Sequence, residues 1–91
     1  MRTMDLSGKT ILVTGGSRGI GAATVRLVVQ LGAKVILHYG QSLLAAEDIS
    51  RELGEENCHL ISADLSNSGA ATSLWDKACT WTGRIDVLVN N

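Results

Sequence analysis

The chain has 91 residues, 45% of them apolar, and a formal net charge of −1. That length allows one small domain at most, and a near-neutral balance with no basic block argues against nucleic acid or an anionic membrane as the main partner. No apolar run approaches a bilayer span, the N-terminal stretch lacks the apolar core of a secretion signal, and Cys58 and Cys79 alone make no disulfide framework, so a cytoplasmic protein with reduced thiols is expected.

Thr10 to Val13 is apolar and β-branched and reads as a first strand. The run Thr14-Gly15-Gly16-Ser17-Arg18-Gly19-Ile20-Gly21 follows it and opens a helix whose stripe is Ile20, Ala23, Leu27, Val28 and Leu31, closed by Gly32. Lys34 to Tyr39 is a second strand. Ala45, Ala46, Ile49 and Leu53 make a second helical stripe, closed by Gly54. His59 to Ala63 is a third strand. Ala71, Leu74, Trp75 and Ala78 make a third stripe closed by Gly83, which puts Trp75 in the core and leaves Trp81 near the helix end, partly exposed. Ile85 to Val89 is the fourth strand.

The pattern is βαβαβαβ, with no linker, repeat or low-complexity tract. It predicts an α/β fold: a Rossmann-like, doubly wound parallel sheet in the order 3-2-1-4, incomplete, with residues 1–91 forming the N-terminal part of one domain. In such sheets ligands bind beyond the C-terminal strand ends where the order switches, between the first and fourth strands. Thr14 to Gly21 and Asn90-Asn91 both fall there.

A strand, a glycine turn and a helix start, in that order, make a site for a phosphate group. Gly15 turns the chain off the strand. Gly19 and Gly21 have no Cβ, so a pyrophosphate can approach the backbone and the helix can approach the sheet. The open amides and the dipole at the helix start favour the anion. The spacing is G-x-x-x-G-x-G, and Thr24 stands where the common dinucleotide fingerprint has Gly or Ala. Gly8-Lys9-Thr10 resembles the end of a Walker A motif, but its upstream glycine would fall at Thr3 and it precedes its strand. Cys58-His59 suggests a metal pair, but adjacent strand residues point to opposite faces and no second pair has ligand spacing; packing is the expectation, with no metal.

Thr14 to Gly21 resembles the TGxxxGxG motif of the short-chain dehydrogenase/reductase family. Ala63-Asp64-Leu65 sits where that family has an acidic residue at the adenine, and Asn90-Asn91 matches the first half of its Asn-Asn-Ala-Gly. The resemblance runs from about Leu6 to Asn91, and within the family the sequence is most similar to the 3-oxoacyl-acyl-carrier-protein reductase type. It implies that Gly15, Ser17, Arg18, Gly19, Ile20 and Gly21 line the pyrophosphate and ribose. It further implies that Asp64 accepts from the adenine amino group with Leu65 beside the ring, and that Asn90 holds the adenosine ribose loop and braces the first turn through Thr14. The plainer readings are that Asp64 caps the third helix region with Ser66 or Asn67 and that Asn90 is a strand-end turn residue.

An NAD enzyme usually carries Asp or Glu about 20 residues past the glycines. Here that stretch is His38-Tyr39-Gly40-Gln41-Ser42, with no carboxylate to repel a 2′-phosphate. Arg18 supplies positive charge and Gln41 and Ser42 supply donors, with Tyr39 beside them. The expected cofactor is NADP(H), with NAD(H) the second choice. His38 is expected to be a strand residue with a local partner.

The family's chemistry needs a serine and a Tyr-x-x-x-Lys pair, the lysine lowering the tyrosine pKa. Here the one tyrosine, Tyr39, is followed by Leu43, so no catalytic residue is assigned. The doubly wound order makes the fourth strand interior, so Val87 to Val89 need cover and an edge needs a partner. The remainder of the fold is expected on another chain or in a longer parent protein. The resemblance implies an NADP-dependent oxidoreductase, homo-oligomeric as a whole, acting on a small carbonyl or alcohol substrate. The alternative is a non-catalytic dinucleotide-binding or regulatory fragment.

Overall fold

The computed structural model describes residues 5–91. Within them the order is β1 (Thr10–Val13), α1 (Gly19–Gln30), β2 (Lys34–Tyr39), α2 (Leu43–Leu53), β3 (Cys58–Ser62), α3 (Ala70–Thr82) and β4 (Val87–Val89). The strands pair in parallel in the order β3-β2-β1-β4, as the alternation predicts. Leu12 stands opposite both Ile36 and Leu88, and Leu37 opposite Leu60.

Side chains alternate between the two faces of the sheet. Ile11, Val13, Val35, Leu37 and Cys58 pack with Ala22, Val25 and Val28 of α1 and Ala46 and Ile49 of α2. Leu12, Ile36 and Ile61 pack on the opposite face with Leu74 and Ala78 of α3. α1 and α2 lead leftward from β1 and α3 leads back past it, so right-handed crossovers place them on opposite faces. The central strands are buried on both sides and read as continuous apolar runs. Burial of a side chain the size of Ile36 or Leu37 contributes about 1.5–3 kcal/mol. Burial also pushes the Cys58 thiol up to about 11, and the buried Ser50 hydroxyl donates to the Cys58 carbonyl at 3.0 Å.

Four sequence expectations shift. In α1 the buried face is Gly21, Ala22, Val25 and Val28; Ile20 is 79% exposed and Leu27 56% exposed. The helix phase is set by Gly21 lying against the Gly15 turn and Asn91, not by the largest side chains. In α3 the buried stripe is Leu74 and Ala78, with Trp81 packed against it; Trp75, about 100° further round the helix, is 42% exposed rather than core. β3 begins at Cys58 instead of His59 and stops at Ser62, because the Ala63 carbonyl is taken by the His38 ring at 2.8 Å. β4 begins at Val87 instead of Ile85. Ile85 packs below the sheet, and Asp86 joins β1 at both ends of the bond pattern: its amide donates to the Thr10 carbonyl at 2.9 Å and its carboxylate accepts the Thr10 amide at 2.8 Å.

The other edges follow the sequence reading. Gly32, Gly54 and Gly83 close the three helices, with φ of 100°, 95° and 79°. His59 stacks flat on Trp81 with centroids 4.6 Å apart, so the Cys58-His59 pair is divided between two cores. Among the described residues no helix is long and apolar enough to cross a membrane.

Candidate functional site

β1 delivers the chain to its C-terminal end at Val13, and the next eight residues turn into α1. Gly15 and Gly19 both adopt left-handed backbone, with φ of 61° and 58°. At Gly19 a Cβ would meet nothing within 4 Å, so this glycine faces open space where a ligand can approach. Gly21 is the reverse: a Cβ there would collide with the Gly15 carbonyl and would lie 2.7 Å from the Asn91 amide nitrogen. The helix can therefore rise off the turn only at a glycine. Gly16, which the sequence reading left without a task, is packed as tightly. A Cβ on it would lie 2.9 Å from Leu37 and 3.1 Å from Val25, so it seats α1 on β2.

The first hydrogen bond of α1 runs from the Ala22 amide to the Arg18 carbonyl at 3.2 Å. The amides of Gly19, Ile20 and Gly21 lie outside the helix ladder, and no side chain caps this end among the described residues. α2 begins the same way. Ser42 occupies its N-cap position without a side-chain cap bond, and neither helix has an acidic residue in its first turn. Gly15, Ser17 and Arg18 face Gly40, Gln41 and Ser42 across a cleft of about 540 Å³. Two uncapped helix starts and one arginine border that cleft, an arrangement suited to anions. Arg18 is exposed and takes part in none of the ion pairs among the described residues.

The predicted site residues fall into three neighbouring places. Gly15, Ser17, Arg18, Gln41 and Ser42 share the cleft just described. Tyr39, half-buried, packs against the α1 and α2 core beside it. Asp64 borders a smaller hollow of about 190 Å³ with Asn67 and Lys77. Leu65 and Asn90 line an apolar groove of about 270 Å³ with Leu12, Leu74, Trp75 and Leu88. Ile20 projects outward at the start of α1.

Asp64 is engaged by its own turn. One carboxylate oxygen accepts from the Ser66 hydroxyl at 2.6 Å and from the Ser66 amide at 3.0 Å, and these bonds hold its carboxyl below the usual 3.8. Asp64 does not cap α3 itself, whose N-cap is Gly69. The brace between β4 and the first turn is present. The Thr14 hydroxyl lies 3.3 Å from the Asn90 side-chain oxygen and 3.4 Å from the Val89 carbonyl. Asn91 adds more than the sequence reading assigned: its backbone amide donates to the Thr14 hydroxyl at 2.9 Å and its side chain donates to the Gly15 carbonyl at 3.1 Å.

His38, expected as a strand residue with a local partner, lies in β2 but finds its partners far along the chain. Its ring is 5% exposed and touches two backbone groups, the Gly15 amide at 3.0 Å and the Ala63 carbonyl at 2.8 Å. The signal in the sequence was a histidine inside an apolar strand, which must find partners when buried. Among the described residues no three His, Cys, Asp or Glu side chains gather as a metal site would require.

A family model for the short chain dehydrogenase matches residues 9–91, and the chain belongs to that family. Versicolorin reductase stcU of Emericella nidulans is 41% identical over 88 residues, an alignment covering 94% of this chain and 33% of the relative. A dehydrogenase/reductase from Sinorhizobium meliloti 1021 superposes with a TM-score of 0.91 at 34% identity, over 98% of this chain and 36% of the other. A 3-ketoacyl-(acyl-carrier-protein) reductase from Brucella melitensis, complexed with NADH, superposes with a TM-score of 0.83 at 27% identity, over 92% of this chain and 34% of the other. The chain spans about a third of the length of the curated relatives it matches.

Proposed function

We propose that this segment holds NADP(H), with NAD(H) bound less tightly, as the cofactor-binding part of an oxidoreductase. The whole protein transfers hydride between the nicotinamide and a carbonyl or alcohol carbon of a small molecule, with a 3-oxoacyl thioester as the favoured class. The observation that carries the reading is the cleft where Arg18, Ser42 and two uncapped helix starts meet with no carboxylate among the lining residues. A 2′-phosphate fits that chemistry, since it is an anion that accepts from guanidinium, hydroxyl and amide donors together.

Gly15, Ser17, Gly19, Ile20 and Gly21 present backbone to the pyrophosphate. Arg18, Gln41 and Ser42 read the 2′-phosphate, and Tyr39 closes the ribose side. Asp64 and Leu65 meet the adenine, and Asn90 keeps the turn in place. The cofactor supplies the hydride when bound, while these residues bind and orient it. The proton-transferring groups come from beyond residues 1–91, in a cytoplasmic homo-oligomer.

The test is Arg18→Ala in the full chain, with NADPH and NADH affinities measured by cofactor fluorescence. Loss of a charge-assisted bond predicts about a 10-fold or greater fall for NADPH. NADH is expected to change by less than about 3-fold, since it lacks the phosphate that Arg18 reads. Equal losses would mean that the 2′-phosphate is read elsewhere. A non-catalytic dinucleotide-binding protein is the second reading, favoured by the single tyrosine, Tyr39, with Leu43 where a paired lysine would stand. Binding without oxidation of NADPH across a panel of carbonyl compounds would select it.

A further inference from the structure

Gly15 is the second residue past β1, and its peptide units are gripped on both sides. The Asn91 side chain donates to its carbonyl at 3.1 Å. The His38 ring takes its amide at 3.0 Å through Nδ1. The His38 backbone holds the next residue as well, with the Gly16 amide donating to the His38 carbonyl at 2.9 Å. The far ring nitrogen, Nε2, lies 2.8 Å from the Ala63 carbonyl, the last link before Asp64.

These partners fix the state of the ring. An amide can only donate, so Nδ1 must accept and carries no proton. A carbonyl can only accept, so Nε2 must carry the proton. One neutral tautomer satisfies both bonds. The opposite tautomer and the imidazolium would each set an N–H against the Gly15 N–H. A buried ring with both nitrogens committed to backbone is rigid, and the two groups it joins lie 23 and 25 residues away in opposite directions along the chain.

We infer that His38 is a positioning residue for the dinucleotide: through its Nε2–H tautomer it sets the phosphate-facing turn at Gly15 relative to the adenine-side loop that begins at Ala63. The inference rests on the cofactor reading given above. His38 need not touch the ligand. It fixes the relation between two half-sites that a dinucleotide must occupy together, which is the geometric requirement for a ligand with two anchored ends.

The experiment compares His38→Leu, His38→Asn and His38→Gln in the full chain, with NADPH and adenosine as probes and thermal midpoints recorded alongside. Leu removes both bonds. Asn carries an acceptor near the place of Nδ1, and Gln a donor near the place of Nε2. Leaving the part-buried Gly15 amide unpaired predicts that His38→Leu weakens NADPH by about 10-fold or more. Adenosine, which carries no phosphate and spans only the adenine side, is expected to change by less than about 3-fold, and His38→Asn should recover most of the NADPH affinity. A purely structural role would move both probes together, and that outcome, or NADPH affinity unchanged in His38→Leu, overturns the inference. If His38→Leu does not fold, the ring nitrogens of the wild-type protein decide: NMR shifts of the Nε2–H tautomer support the inference, and any other state overturns it. A wild-type chain that binds neither probe would instead overturn the cofactor reading.

Discussion

Gly21 and Gly19 are two residues apart and do different work. At Gly21 the Gly15 carbonyl and the Asn91 side chain fill the place of a Cβ, while at Gly19 that place is open and φ is 58°. Gly19→Ala should therefore cost about 1–2 kcal/mol of left-handed strain and little else in the fold. Gly21→Ala should cost a similar or larger amount, about 1–3 kcal/mol of overpacking, and displace the turn as well. Denaturant unfolding with NADPH titration on the same samples separates the two. Gly21→Ala is expected to lose affinity in the folded protein through a moved Gly15. Comparable unfolding and binding data for both variants would show that the close approach yields freely. The spacing of the glycines made the turn legible in the sequence. The division of labour among them was not, because it depends on Asn91, at the other end of the chain.

The elements were legible where a strand is built on an unbroken apolar run, as in Thr10–Val13 and Lys34–Tyr39, whose bounds match the expectation residue for residue. Helix phase was harder. Trp75 and Ile20 are large and fall at helical spacing, yet the sheet selects Leu74 and Ala78 and the turn selects Gly21, since the geometry of approach outranks size. The same packing creates the His59–Trp81 stack between β3 and α3. Partial burial lowers the His59 pKa from its ordinary 6.5. The neutral ring is favoured in the fold, so its stabilising contribution is complete above 6.5 and is lost as pH falls through the lowered value. An imidazolium quenches a stacked indole, so Trp81 emission in a Trp75→Phe background should drop on acidification with a midpoint below 6.5. The transition should vanish in His59→Phe. A midpoint at or above 6.5 would show that desolvation does not dominate at this ring.

At the scale of the whole molecule, alternation of strand and helix was enough to read the order β3-β2-β1-β4, because right-handed crossovers leave few arrangements. It could not reveal how the expected site residues divide among three hollows, or that the His38 and Asn91 side chains add to the backbone bonds that tie the turn in place. One of those ties sets the order of events in time. The turn after β1 is closed by Asn91, 76 positions along the chain from Gly15. Closing so long a loop is entropically costly and slow compared with forming a helix. During refolding, far-ultraviolet circular dichroism should recover first and NADPH capture should lag behind it. Asn91→Ala should weaken capture while leaving the early phase unchanged, and simultaneous recovery of both signals would argue against the delay. A newly made chain thus acquires its helices before it acquires a use for them, and the nucleotide can report the moment at which Asn91 reaches the turn.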